Sequence, residues 1–191
     1  MFLKNNIFYI LIFFVIMSCQ PIEIIQPINI DYSKMGKIEI AAKEISIVNK
    51  YNPVFSDENI EGIISNTPLS IISQWNKQNI SGFGYENKLI ISILEASLLR
   101  KEIDNIDAKK YEEKIIYQYD IFFLIEYQLY DNNNFLLANT TVETSRSTTS
   151  KRYISLNQTE IIINDLLING LKDFIKETKS LFTKYMFGYL K

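Results

Sequence analysis

The 191-residue chain contains no histidine and a single cysteine, Cys19. The missing histidine excludes Ser-His-Asp and Cys-His catalysis, histidine metal sites and histidine-based pH switching. The lone cysteine excludes an intrachain disulfide. Arginine is scarce and occurs only at Arg100, Arg146 and Arg152. Charge of one sign is nowhere concentrated, and the formal net charge is −2. Neither nucleic acid nor an anionic membrane surface is therefore indicated as an electrostatic partner. What remains for catalysis is carboxylates, Lys, Tyr and Ser. Apolar side chains are plentiful instead, at 47% with 13% aromatic. That is ample for a packed core and wrong for a disordered chain.

The densest apolar run is at the start. Lys4 precedes an unbroken apolar stretch, Ile7 to Met17, and Val15-Ile16-Met17-Ser18 leads directly into Cys19. The eleven residues of the run fall short of the roughly 20 needed to span a bilayer, and the layout is that of a secretory signal. Its end resembles the lipobox of bacterial lipoproteins. The resemblance implies cleavage before Cys19, diacylation of its sulfur and acylation of the new amine. Residues 1–18 are then a cleaved signal peptide, 19–36 a lipidated tether containing Pro21 and Pro27, and 37–191 a single domain. The segment removed holds Lys4 and no acid, so the mature chain is one unit more negative. The acyl chains would take up the only thiol and exceed the two-signal requirement for stable membrane residence. No cofactor and no metal is expected.

Within the domain, residues 37–48 read as one long strand with a bulge or bend between Ala41 and Glu44, where the isoleucine alternation changes phase. Residues 49–66 read as a long loop. Thr67-Pro68 opens a helix with Thr as N-cap and Pro at the first helical position, and Ile71, Ile72 and Trp75 give it an apolar face. Residues 79–84 close it with a turn. The apolar segment 88–99 predicts a central strand buried on both faces, and 100–114 an exposed connection. A hairpin follows, with strands 115–130 and 135–149 around Asp131-Asn132-Asn133-Asn134. Pairing Tyr130 with Phe135 sets residue 123 opposite 142 and 125 opposite 140. This register gathers Tyr119, Ile121, Phe123, Ile125, Tyr127, Leu129, Leu136, Ala138, Thr140 and Val142 on one face. Ser155 or Asn157 caps a final helix with Ile163, Leu167, Leu171, Phe174, Leu181 and Tyr185 in its stripe. Gly170 lies on that stripe, where it allows close helix–sheet contact. The expected fold is α+β, β-α-β-β-β-α, a four-stranded mainly antiparallel sheet with two helices on one face.

Few residues offer chemistry. In this register Glu126 faces Asn139 and Glu143 faces Phe122, so no acidic pair forms, and the acids read as solvated surface charges. No catalytic residue is assigned. Arg146 and Arg152 flank the Ser/Thr-rich segment 144–150, a possible anion contact read here as a polar strand end. The sequons at Asn79, Asn139 and Asn157 read as chance, and Trp75 as core. Phe122, Leu124, Phe135 and Leu137 fall on the otherwise polar hairpin face and are the candidate partner surface.

Short fragments along the chain resemble an uncharacterised family of alphaproteobacterial lipoproteins. They are Ile45-Ser46-Ile47-Val48, Thr67-Pro68 followed by Trp75, Leu94-Glu95-Ala96-Ser97, Tyr119, Ser145-Arg146 and Leu156-Asn157-Gln158-Thr159-Glu160. The layout of lipidated cysteine, β-α-β-β-β-α domain, arginine ending the last strand and long final helix also resembles the LptE-like lipopolysaccharide-assembly lipoproteins. Cys19-Gln20-Pro21 stands where that family usually has Cys-Gly-Phe. The resemblance implies a non-enzymatic, periplasm-facing lipoprotein that supports envelope assembly or lipid transport by binding a membrane partner. The auxiliary lipoproteins of ABC-type transporters are comparable in layout and imply the alternative, binding of lipid or another amphiphile between sheet and helices. Gln20 is not the aspartate that retains enteric lipoproteins at the inner membrane, so by that analogy the outer membrane is expected.

Overall fold

The computed structural model describes residues 29–54 and 56–191. The residues read as signal peptide, Cys19 and the first part of the segment read as tether lie outside the described residues. The elements are β1 (Ile38–Ile40), β2 (Glu44–Asn49), α1 (Pro68–Asn79), β3 (Ile80–Gly82), β4 (Lys88–Asp104), β5 (Ile115–Tyr130), β6 (Leu136–Lys151) and α2 (Leu156–Tyr185). The main sheet has the order β2-β4-β5-β6, with β2 parallel to β4 and the other pairs antiparallel. Both helices pack on one face, which makes the molecule α+β. No described helix is long and apolar enough to cross a membrane.

The helices start where local chemistry tells them to. The Thr67 side chain accepts a hydrogen bond from Ser70 N–H, and Pro68 fills the first helical turn, where its missing donor costs nothing. Ser155 and Gln158 form a reciprocal capping box at the start of α2. On the buried face, β5 alternates strictly, and Tyr119, Ile121, Phe123, Ile125, Tyr127 and Leu129 are all buried. Phe174 of α2 meets both Trp75 of α1 and Phe123 of β5 edge-on, at centroid distances of 5.8 and 5.7 Å. Tyr127 meets Phe182 edge-on at 4.8 Å, and its hydroxyl donates to Asn76 Oδ1 of α1 at 2.8 Å. Burial pushes the Tyr127 hydroxyl pKa up, so it remains a donor. Gly170 lies against β5, and a Cβ there would stand 3.0 Å from Ile121 Cγ2.

The segment expected to be one strand is two. The chain breaks at Ala41–Lys43, where the phase shift falls, and the halves join different sheets. β1 pairs in parallel with β3, and β2 with β4. The break is held by neighbours: Ala41 N–H donates to Tyr189 O, and Lys43 N–H to Glu86 O and Asn87 O. Gly82 and Gly84 make this possible, since a Cβ on Gly82 would collide with the Ala42 carbonyl and one on Gly84 with Ala41. The expected turn over 79–84 accordingly contains β3. The strand expected over 88–99 runs on to Asp104, which shortens the following connection to 105–114. Its second face is only partly covered: Leu89, Ile91, Ile93, Ala96 and Leu98 are buried on the helix side, whereas Ile90 and Leu99 opposite are half-buried.

The hairpin register is two residues from the expected one. Ile125 faces Val142 and Phe123 faces Thr144, with an irregularity between Leu129 and Tyr130. The loop is wider than four residues because Asp131 organises it. Its carboxylate accepts from Asn133 N–H and Phe135 N–H, and Asn134 adopts φ 63°. The even shift keeps the side chains from Ala138 onward on their expected faces, whereas Leu136, expected on the buried face, pairs with Tyr130 beyond the irregularity and is exposed. The tether is shorter than its sequence reading. Asp31 caps a 3-10 turn over Tyr32–Lys34, Tyr32 is buried, and Ile30 and Met35 pack on the core.

Candidate functional site

The helix-free face of the sheet is where the sequence places most of its partner surface, and the register shows what surrounds each residue. Phe122 and Leu124 are half-buried in the middle of this face. Phe122 lies between Ser97 of β4 and Ser145 of β6, and Leu124 between Glu95 and Glu143. Glu126, two residues along β5, lies between Ser92 and Thr141. The two apolar side chains are thus flanked by small hydroxyls on one side and by three carboxylates on the other.

Those carboxylates make only neutral contacts in the described structure. Glu95 accepts from Ser97 Oγ at 2.9 Å, and Glu126 from Gln128 Nε2 at 3.3 Å. Two cations of the same face are engaged away from Leu124, and none of the three carboxylates is in an ion pair among the described residues. Lys88 pairs with Glu44 at 2.9 Å, and Lys101 approaches Asp120 at 4.0 Å. The centre of the face therefore combines an apolar pair with uncompensated negative charge.

Phe135 and Leu137 are not brought to this centre. Phe135 sits in the hairpin loop beyond the strand end, and Leu137 follows Leu136, the partner of Tyr130. Six residues separate Leu124 from Tyr130 along β5, about 20 Å at the usual strand rise. Both are exposed, at 69% and 38%. The four residues form two sites, an acid-flanked pair in mid-sheet and an apolar hairpin tip. Glu95 was not recognised as part of the first site. Its only signal in the sequence is a lone carboxylate interrupting the apolar run of β4, at the point where the ladder is irregular between Ile93 and Glu95.

The other sequence candidates are engaged in structure. The Arg146 guanidinium donates to Asp173 of α2 at 2.6 Å. Arg152 pairs with Glu102 at 3.0 Å, and its backbone N–H donates to Glu113. Glu126 faces Thr141, not Asn139, and Glu143 faces Leu124, not Phe122. Trp75 is fully buried. The space between sheet and helices is occupied by Trp75, Phe123, Tyr127, Phe174 and Phe182. A groove of ≈ 580 Å3 lined by Pro53, Val54, Asp57, Glu61 and Leu69 lies outside that layer. Beside it, Glu61 is buried and accepts from Tyr51 Oη at 2.6 Å, Asn59 Nδ2 and Leu98 N–H, which clamps the 51–61 loop to β4.

No family model matches the chain, and no curated relative matches it. Among solved structures it is similar to a minor lipoprotein from Acinetobacter baumannii at 11% identity, with a TM-score of 0.40 over 73% of this chain and 89% of that one. It is also similar to the rare lipoprotein B from Shewanella oneidensis at 10% identity, with a TM-score of 0.37 over 72% of this chain and 94% of that one.

Proposed function

We propose that the chain is a lipid-anchored envelope protein that acts by binding rather than by catalysis, its helix-free sheet face engaging a membrane protein in envelope assembly or lipid transport. The anchor rests on the signal-like N-terminus and the lipobox-like residues before Cys19. The observation that carries the binding reading is the half-buried pair Phe122 and Leu124 beside Glu95, Glu126 and Glu143 on a face that no helix covers. An apolar centre rimmed by charge is the anatomy of a protein contact, and three carboxylates select a partner surface carrying Lys or Arg. By analogy with enteric sorting, Gln20 supports an outer-membrane location facing the periplasm.

Two measurements test this. Metabolic labelling with a palmitate analogue should mark the wild type and not Cys19→Ala, and a labelled Cys19→Ala protein would remove the anchor. Double charge reversal, Glu126→Lys with Glu143→Lys, should abolish co-purification of a membrane protein from native membranes while changing stability by no more than about 1 kcal/mol, since Glu143 is exposed and Glu126 is half-buried with one neutral contact. Undiminished co-purification would remove the sheet face as the docking surface.

A further inference from the structure

The long strands give the molecule two distinct ends. Sixteen residues in β5 and sixteen in β6 make a sheet about 50 Å long at the usual strand rise. At one end are the start of β4, the 131–135 hairpin loop, the β1–β3 pair and the C-terminus, all locked together. Lys88 pairs with Tyr130, Phe83 N–H donates to Ile40 O, and Ile40 bridges to Leu190. At the other are the 105–114 connection and the start of α2.

The first end exposes Phe83, Tyr85, Phe135, Leu136, Leu137 and Phe187. These residues stand on fixed backbone. Asp131 holds the loop that presents Phe135. Phe83 and Tyr85 flank Gly84, which is pressed against Ala41. Phe187, 74% exposed, follows Met186, which is fully buried. Aromatic rings exposed on held backbone suit the headgroup level of a bilayer, as in the interfacial belts of membrane proteins. The opposite end also exposes Ile106, Tyr111, Tyr153 and Leu156, so it is the tether that selects between the two ends.

The tether decides what this end meets. Gly36, where a Cβ would meet the Lys179 side chain near the end of α2, precedes the entry of the chain into the β1–β3 pair at this same end. Only residues 20–28 separate the lipobox-like cysteine from the first described residue. Such a segment reaches at most about 35 Å. On the reading that Cys19 is acylated, the domain is held at high effective concentration against the bilayer, so weak apolar contacts suffice to orient it.

We infer that the Phe83, Phe135 and Phe187 end docks on the lipid surface that carries the anchor, standing the sheet on the membrane with Phe122 and Leu124 facing sideways along it. The occupant is the interfacial region of a bilayer, recognised through aromatic rings, not through headgroup charge.

The test uses the full chain with an environment-sensitive fluorophore on Asn133→Cys or, at the opposite end, Asp107→Cys. Each protein is reconstituted in phosphatidylcholine vesicles containing a nitroxide-labelled lipid. The label at 133 should be quenched and the label at 107 should not, and Phe83→Ser with Phe135→Ser and Phe187→Ser should remove the quenching at 133. Equal quenching at both positions, or none at 133, overturns the inference. Acylation is read separately from intact mass. An acylated protein unquenched at 133 loses the docking and keeps the anchor. A Cys19→Ala, Asn133→Cys protein, in which one thiol carries the label, reads docking without the anchor, and quenching at 133 there keeps the docking whatever the intact mass of the protein that retains Cys19 says of acylation.

Discussion

The two faces of the main sheet share strands and backbone but solve different problems. On the helix side, β5 buries Tyr119, Phe123 and Tyr127, and the last two meet Phe174 and Phe182 edge-on, Phe174 in turn meeting Trp75. On the helix-free side the same strand presents Gln118, Asp120, Phe122, Leu124, Glu126 and Gln128, all half-buried. The first face is committed to stability. The second carries polar and charged groups that water alone could serve, with two apolar residues among them that it cannot. The proposed binding function falls on the face that contributes least to folding.

Substitutions should separate the faces by size of effect. Phe174→Ala removes a ring shared between both helices and the sheet and should cost about 3–5 kcal/mol in urea unfolding. Gly170→Val forces a branched side chain into the 3.0 Å approach to Ile121 and should cost about 1–3 kcal/mol. Tyr127→Phe keeps the packing and strands Asn76 Oδ1 without its donor, for a loss of about 1–3 kcal/mol. Arg146→Ala breaks an exposed pair with Asp173 and should fall below about 1 kcal/mol. Phe122→Ser should lie near this lower end while still impairing partner binding. A loss at Phe122 as large as that at Phe174 would erase the distinction between the faces.

Much of this was legible in the sequence because local rules and burial agree there. Thr67-Pro68 and Ser155 start helices through capping chemistry that needs no tertiary help. The alternation in β5 identifies its buried face whatever the register. What was not legible depends on long-range neighbours. The split between β1 and β2 is held by Tyr189 and the 82–87 segment, both distant in sequence. The two-residue register difference accompanies the wider loop held by the Asp131 side chain, and it takes Leu136 off its expected buried face while Ala138, Thr140 and Val142 keep theirs. The same logic applies to the candidate surface. Shared parity puts Phe122, Leu124 and Leu137 on one face, but parity carries no distance, and the ladder separates the mid-sheet pair from the hairpin tip. Glu95 joins the pair only because β4 is irregular immediately before it.

The central claim is that the helix-free face binds a membrane protein. It is tested most directly by site-specific photocrosslinking in native membranes, with benzoylphenylalanine at position 122 and, as control, at Lys172 on the exposed side of α2. The account predicts a discrete adduct with one membrane protein at 122, no such adduct at 172, and its loss when Glu126→Lys and Glu143→Lys are added. The same products from both positions, or an adduct at 122 indifferent to charge reversal, would contradict it.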